Sequence, residues 1–275
     1  MKRRFDMKAV EISSKLEKLC REKPEYTKIA AILEEIYNRK AIFKESLNIV
    51  GIDESVIAGR LDDGTPLVFF DEIDFDRGKF IRYGHEIEKI FKEKGVPISY
   101  PVDFESYFTI LTEGLEHVRE KTEKNNVKDG VTEYIVFQAI KPLYEKYREI
   151  YEKFFSEGKW LQPYCFLCGT FPNMAIINDE GGKRYLYCGM CEASWYYPKL
   201  KCPFCGNENQ DSLVRIEFED DKVYSIDACN VCRRYIKVVD RRQKEEGFVF
   251  DIEDVLSVHM DMAAEKEGFI NGDCL

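Results

Sequence analysis

Apolar residues recur every three to four positions along the first 155 residues of the chain. Behind Pro24, a residue suited to a first helical turn, this period runs through Tyr26, Ile29, Leu33 and Ile36 and predicts a helix over 24–45. The same period predicts further helices over about 8–21, 79–94, 103–121 and 131–155. The N-terminal part is therefore expected to be a helical bundle, and a last helix is expected over about 251–267.

The pattern changes to short alternating segments beyond about residue 157, where Ser156-Glu-Gly158 suggests a boundary. Met174 to Ile177 and Arg184 to Tyr187 predict the strands of one hairpin. Leu213 to Phe218 and Val223 to Ala228 predict those of a second. Turn-forming residues lie between the two strands of each predicted hairpin, at 179–182 and 219–221.

Four Cys-x-x-Cys pairs frame these hairpins and hold eight of the ten cysteines: Cys165/Cys168, Cys188/Cys191, Cys202/Cys205 and Cys229/Cys232. The gaps between successive pairs are 19, 10 and 23 residues. A hairpin of roughly 15 to 20-odd residues brings two such turns around one tetrahedral ion. The gaps therefore predict two sequential sites, the first two pairs forming one and the last two the other.

Two other arrangements of the thiols stay open at this point. The first pair could join the third, as in cross-braced fingers, or the pairs could be thioredoxin-like redox motifs. A repeat favours the sequential arrangement, because Cys165-Phe-Leu-Cys168-Gly169 recurs as Cys202-Pro-Phe-Cys205-Gly206. In both copies the glycine suits a turn that needs a positive φ. The thioredoxin-like alternative lacks the strand-then-helix context that would lower a thiol pKa.

Composition and motifs narrow the function. The 44% hydrophobic and 33% charged fractions are those of a globular protein. Residues 156–275 carry 14 Lys and Arg against 21 Asp and Glu, a net charge of −7 out of −10 for the chain, which opposes phosphate-backbone binding. Neither a G-x-x-x-x-G-K-[ST] nor a G-x-G-x-x-G motif occurs, and His85-Glu-Ile-Glu-Lys89 lacks the second histidine of a metalloprotease helix. The chain is therefore not expected to be an enzyme.

Targeting signals also bear on the compartment. Arg3-Arg4 is followed by charged residues instead of the apolar stretch of an export signal, and no run approaches the roughly 18 apolar residues of a membrane span. The expected location is the cytoplasm, where thiols stay reduced and regularly spaced pairs favour metal over disulfides. Four thiolates fill the shell of a tetrahedral ion, so two structural or electron-passing ions, zinc or iron, are expected per chain.

A family resemblance rests on the ordered cysteine strings and their neighbours. Gly182-x-Arg-Tyr-Leu-x-Cys-x-x-Cys-Glu-x-x-Trp195, Lys201-Cys-x-x-Cys205 and Ala228-Cys-x-x-Cys-x-x-Tyr-Ile-Lys237 resemble the formate dehydrogenase accessory proteins of the FdhE type. The segments Glu253-Asp-Val-Leu-Ser257 and Gly268-Phe269 are similar to the C-terminal helix of that family. The chain departs from the family in its ending, Asn271-Gly-Asp-Cys-Leu275.

The resemblance implies a cytoplasmic maturation factor with two rubredoxin-like modules. Such a factor would bind the catalytic subunit of a molybdenum- or tungsten-dependent formate dehydrogenase and would carry out no chemistry itself. One competing class is a redox protein that uses iron in these sites. The other is a zinc-ribbon nucleic-acid-binding protein, favoured by a local group of basic residues: Arg184, Arg233, Arg234, Lys237, Arg241 and Arg242.

The expected fold is α+β: an N-terminal helical bundle, two tandem rubredoxin-like or zinc-ribbon tetracysteine modules, and a C-terminal helix. The expected domains are a helical domain over 1–157, modules over 158–200 and 201–247, and the final helix and tail over 248–275. Because aromatic and Arg side chains dominate interface energetics, a partner-binding surface is expected where the modules meet. Its predicted residues are Arg184, Tyr185, Trp195 and Tyr235.

Overall fold

The computed structural model of the chain describes residues 2–98, 101–111, 130–156, 158, 160–178, 181–219, 221–244 and 247–272. The chain divides into two compact units. We call Met1–Val50 with Phe70–Lys146 the helical unit, and Gly51–Phe69 with Tyr147–Leu275 the sheet unit.

The described helices, apart from the third, lie where the apolar period of the sequence predicts them. They are α1 Lys2–Glu22, α2 Thr27–Ser46, α3 Glu54–Asp62, α4 Arg77–Glu93, α5 Phe104–Leu111, α6 Gly130–Tyr151, α7 Phe250–Leu256 and α8 Val258–Lys266. Short 3-10 turns lie at Pro24–Tyr26, Phe70–Glu72, Glu152–Phe154, Gln210–Ser212 and Arg241–Gln243. The helical bundle is confirmed, and the part of the predicted 103–121 helix beyond Leu111 lies outside the described residues.

The helical unit has its own apolar core and a buried ion pair. Phe80, Ile87 and Ile140 are fully buried. The Lys40 ammonium lies 2.7 Å from the Glu145 carboxylate, and both side chains are nearly inaccessible to solvent. Because each buried charge has a partner of opposite sign, the unit can enclose them without leaving a charge unpaired.

The sheet unit is built on one mixed sheet. Its strands are β1 Met174–Ile177, β2 Arg184–Tyr187, β3 Ser194–Tyr196, β4 Leu213–Phe218, β5 Asp221–Cys229, β6 Arg234–Asp240 and β7 Ile270–Asn271. Their order is β3-β2-β1-β6-β5-β4, with β7 added on β6. Both predicted hairpins are present as antiparallel pairs, β1 with β2 and β4 with β5.

The two cysteine modules share this sheet. Strand β6, which alternation did not reveal, pairs with β5 of its own module and lies parallel to β1 of the first. The parallel register places Met174 opposite Lys237 and Ile177 opposite Asp240. Two tandem modules are therefore present, joined by backbone hydrogen bonds into a single layer.

The C-terminal helices cover one face of the sheet. Met260 and Ala264 of α8 pack with Tyr187, Tyr224 and Tyr235 in one apolar cluster. The predicted final helix is present as two pieces, since the hydroxyl of buried Ser257 donates to the Glu253 carbonyl at 2.7 Å where α7 ends. None of the helices in the described part of the chain combines the length and apolar character that a membrane crossing requires.

Candidate metal centres

The first four thiols converge inside the sheet unit. The sulfur of Cys165 lies 3.4 Å from that of Cys191, and the sulfur of Cys168 lies 3.5 Å from that of Cys188. All four side chains are buried. The hydroxyl of Thr170 lies 3.2 Å from the sulfurs of both Cys168 and Cys188, so it can donate to a thiolate of either pair.

The last four thiols form a second cluster. Cys202 pairs with Cys232 and Cys205 with Cys229, each at a sulfur-to-sulfur distance of 3.7 Å. The Asn207 amide donates to the Cys229 sulfur at 3.7 Å. The structure thus groups the eight thiols in sequential order, as the gaps of 19 and 23 residues predict, and not in the interleaved order.

All four Cys-x-x-Cys turns have the same backbone shape. The residue after the second cysteine has a positive φ in every case: Gly169 78°, Glu192 62°, Gly206 73° and Arg233 58°. Its N–H donates to the carbonyl of the first cysteine of its pair over 2.8 to 3.0 Å. Two of the four positions are not glycine, so the left-handed conformation costs free energy there and must be held by surrounding contacts.

The clusters fit a tetrahedral ion. Zinc–sulfur bonds of about 2.3 Å place thiolates roughly 3.8 Å apart, close to the observed separations. A disulfide needs a sulfur–sulfur distance of about 2.05 Å, and the cysteines in the described residues are free. Backbone N–H groups of Leu167 and Phe204 lie 3.4 and 3.5 Å from the sulfurs of Cys165 and Cys202, as expected where charge collects on sulfur.

The protonation of the thiols also favours a cation. Burial raises the pKa of Cys165 and Cys191. It acts in the same direction on Cys188, but hydrogen bonds from the other three thiols and from Thr170 outweigh it and hold the pKa of Cys188 well below its usual range. Burial likewise opposes ionisation of Cys229, yet backbone hydrogen bonds from Cys232 and Val231 lower its pKa to about 7. Cys188 and Cys229 are thus favoured as thiolates, and a bound cation would stabilise the charge on sulfur further.

The two clusters differ in exposure. Every thiol of the first is buried, whereas in the second Cys205 is exposed and Cys232 is half-buried. A chelator or oxidant can therefore reach the second cluster without unfolding, but not the first.

Neighbouring segments of the sheet unit clamp the turns. The Nε of Arg148, on α6, donates to the Cys191 carbonyl at 2.8 Å, and its Nη2 lies 3.8 Å from the carboxylate of left-handed Glu192. The guanidinium of left-handed Arg233 stacks on Phe269 with a centroid distance of 4.1 Å. Each of the two non-glycine turns is thus held by a residue from a distant part of the sequence.

A further clamp comes from far away in the sequence. The N–H groups of Leu67 and Val68 donate to the carbonyls of Phe166 and Leu167 over 2.8 and 2.9 Å. Residues 51–69 are thereby attached to the first cysteine turn, which explains why they belong to the sheet unit.

The four predicted partner-binding residues do not form one patch. Trp195 and Tyr235 are buried to 0% and 1% exposure, so the structure gives them packing roles instead of an exposed contact role. The Trp195 Nε1 donates to the Gln162 carbonyl at 3.0 Å. Successive strand residues point to opposite faces, which separates half-buried Tyr185 from buried Arg184.

His85 does not belong to a cluster of this kind. Its ring lies 3.2 Å from the Glu88 carboxylate on the same helix of the helical unit. Within the described ranges, the groups of three or more His, Cys, Asp or Glu placed to hold an ion are the two tetracysteine clusters.

Comparison with known proteins shows similarity to FdhE proteins. Residues 164–199, which hold the first cluster, match the family model of the FdhE central domain. An FdhE homologue of Aquifex aeolicus is 29% identical over 263 residues, covering 90% of this chain and 87% of the relative. The chain is thus similar to an FdhE homologue over most of its length.

Two further FdhE proteins are similar in part of the sequence or in fold. Protein FdhE of Salmonella paratyphi A is 31% identical over 108 residues, which are 38% of this chain and 34% of the relative. The crystal structure of the FdhE protein from Pseudomonas aeruginosa aligns with a TM-score of 0.66 at 16% identity, over 96% of this chain and 93% of that one. This last likeness shows that the fold described here is shared with a solved FdhE protein.

Proposed function

We propose that the chain is a non-catalytic maturation factor that binds the catalytic subunit of a formate dehydrogenase in the cytoplasm. The observation that carries the proposal is the closed thiol shell of both clusters in a chain similar to FdhE proteins. Four protein ligands leave a metal ion no position for water or substrate, so neither cluster suits hydrolytic catalysis. The ions would instead hold the turns that shape a binding surface.

The eight clustered cysteines are the proposed metal ligands, and zinc and iron both suit them. With either ion each site would provide four thiolates and a backbone N–H near sulfur, and the first site would add the Thr170 hydroxyl. Zinc would only hold the fold, whereas iron could also exchange one electron.

The experiment is capture of the partner from cells that use formate. The tagged chain, purified without oxygen, should retain the catalytic subunit of a formate dehydrogenase before that subunit is complete, and a deletion strain should lose formate oxidation. Restoring the gene should recover the activity. Absence of the subunit from the purified complex, together with unchanged formate oxidation in the deletion strain, would refute the proposal.

A redox protein is the second candidate, favoured by the exposure of Cys205 in the second cluster. An exposed iron–tetrathiolate site can exchange electrons with a partner at the surface. Anaerobically purified protein would then contain iron and show reversible bleaching on reduction. A protein that contains only zinc in both sites and still supports formate oxidation excludes this role.

A further inference from the structure

A cavity of about 850 Å³ opens in the sheet unit along β4 and β5. Its wall continues through residues 199–204, the link between the two modules, and includes Arg184 of β2. This volume lies in the upper part of the range of ligand pockets and far exceeds what one small anion fills. The cavity lies outside the two thiol shells, although Cys202 and Cys229 contribute to its wall.

The cavity concentrates positive charge in an acidic chain. Seven Lys and Arg residues and five Asp and Glu residues line it, whereas the chain as a whole has a net charge of −10. Cations gathered in a concave, partly dry surface attract anionic partners more strongly than the same charges spread over an exposed surface.

Arg184 supplies the first sign of a missing ligand. Its side chain is 2% exposed; Nη1 lies 3.0 Å from Asp227, and Nη2 donates to the Lys201 carbonyl at 2.7 Å. Its Nε, however, has no hydrogen-bond partner among the described residues. Asp227 does not neutralise the charge of Arg184 alone, because Nη1 of Arg215 also lies 3.2 Å from its carboxylate. A buried N–H without an acceptor is costly, and an acceptor oxygen from a ligand would relieve that cost.

Lys199 and Arg242 supply the second sign. A Cβ built on Gly182 would lie 3.3 Å from Nη1 of Arg242 and 3.5 Å from Nζ of Lys199, so the two cations converge beside the glycine backbone. Arg242 is ion-paired with Asp240 at 2.5 Å, and Arg184 and Arg215 share Asp227. Together with Lys199, four cations therefore meet these two carboxylates at this end of the cavity.

The remaining lining favours a chain over a small ion. Leu213, Phe204 and Phe218 contribute apolar surface, and Leu200 is 57% exposed at the wall. Among the described strands, β4 pairs only with β5 and forms the edge of the sheet. An extended polypeptide can bind backbone groups at such an edge and place alternate side chains in a pocket.

We propose that this cavity binds an extended, carboxylate-rich polypeptide segment of the client protein. The inference rests on the proposed function for the identity of the client, whereas the chemistry of the site does not. Carboxylates of the segment would meet Arg184, Lys199 and Arg242, and its apolar side chains would pack on Leu200 and Phe218. Five acidic residues in the wall disfavour the dense phosphates of a nucleic acid.

The test is fluorescence anisotropy of the metal-loaded full chain with a short labelled peptide rich in Glu and Leu. The matched control peptide carries Lys at each Glu position. The acidic peptide should bind, with an affinity that falls as salt rises, and the basic peptide should not. Lys199→Glu should weaken binding at least about tenfold without unfolding the chain, since this side chain is exposed. Lys89→Gln, an exposed change in the helical unit, should leave binding unchanged.

Several outcomes overturn the inference. Equal binding of both peptides, no binding of the acidic peptide, or unaltered binding by Lys199→Glu would each do so. Displacement of the peptide by millimolar inorganic phosphate would identify a small-anion site instead. If the chain captures the dehydrogenase subunit but binds no acidic peptide, the proposed function stands and the peptide-binding site is refuted. If it binds the acidic peptide but captures no subunit, the site stands and the proposed function is refuted.

Discussion

The Nε of Arg148 lies 2.8 Å from the carbonyl oxygen of Cys191 and joins the last turn of α6, which belongs to the sheet unit, to a cysteine turn of the same unit. We expect Arg148→Gln to loosen the turn, because Glu192 also loses its cationic neighbour and must still hold a positive φ. Contacts that orient ligands typically change metal affinity 10- to 100-fold, so the first site should bind its ion about that much more weakly. Competition with a chromogenic chelator measures this. Lys153→Gln, an exposed change near the same end of α6, should leave the metal affinity unchanged. If this variant loses as much affinity as Arg148→Gln, the Arg148 contact is not the cause of the loss.

The separate thiol clusters predict separable sites. Cys202→Ser should lower the metal content from about two ions per chain to about one, because three thiolates and a hydroxyl bind zinc or iron poorly. Cys20→Ser, outside both clusters, is the matched control and should keep two ions. Elemental analysis gives the count. Loss of both ions in Cys202→Ser would show that the sites do not fill independently.

The unequal exposure of the clusters predicts an order of release. The exposed Cys205 should let a chelator remove the ion of the second site first, whereas the first site should release its ion in a slower phase limited by opening of the sheet unit. Stopped-flow chelation should show two phases. In Cys202→Ser only the slow phase should remain, and a remaining fast phase would reverse the assignment.

Complete removal of metal should act mainly on the sheet unit. Structural zinc contributes an apparent stabilisation of roughly 10–16 kcal/mol to small modules at neutral pH, whereas the helical unit has a core of its own. Chelation should therefore unfold about residues 160–245 while most of the helical circular dichroism signal persists. Limited proteolysis of the chelated chain should cut within that range. A collapse of the entire spectrum would mean that the units do not fold independently.

Buried Lys237 predicts a further, metal-independent effect. Its Nζ lies 2.8 Å from Asp261, whose other oxygen accepts from the Tyr235 hydroxyl at 2.7 Å. Asp261→Asn should lower the free energy of unfolding by about 1–3 kcal/mol, because a buried cation loses an ionic partner. Asp254→Asn should cost less, since that carboxylate is 49% exposed. Urea unfolding of the metal-loaded protein compares the two.

The same group sets an alkaline limit. Burial lowers the pKa of Lys237, but attraction by Asp254 and Asp261 outweighs burial and raises it. Because the pKa of Lys237 is higher in the folded state, the charged side chain stabilises the fold. This stabilisation is complete at pH values below the pKa of the unfolded state, near 10.4, and is lost as the pH rises through the pKa of the folded state. The difference between wild type and Lys237→Met should thus be constant around neutral pH and change only above about pH 10.4. A change between pH 6 and 8 would contradict this assignment.

Sequence patterns specified the local parts of the fold well. The spacing of the cysteines was enough to group the thiols, since each site closes across one hairpin of 19 or 23 residues. Apolar periodicity located the helices of the bundle, because each buries one face. Helix α3 was missed although its signal was present: the Asp53 side chain accepts from the Ser55 N–H, a helix-start motif that the sequence shows.

Non-local contacts explain what the sequence did not reveal. Strand β6 is buried on both faces, so its sequence does not alternate between apolar and polar residues. Lys237 within it would be expected at the surface, because its two carboxylate partners cannot be recognised from the sequence. Trp195 and Tyr235 looked like contact residues because composition does not show which aromatic side chains the sheet encloses. The left-handed Glu192 and Arg233 were hidden because their anchors, Arg148 and Phe269, are distant in the sequence.

The parallel pairing of Ala175 with Val238 has a consequence for the history and engineering of the repeat. A ribbon module that folds alone can be moved into another protein. Here, separating the two copies would remove the hydrogen bonds between β1 and β6 and expose two unpaired strand edges. Excised halves should aggregate or re-associate with each other. Once the duplicated copies had merged into one layer, neither could be lost, exchanged or moved without the other.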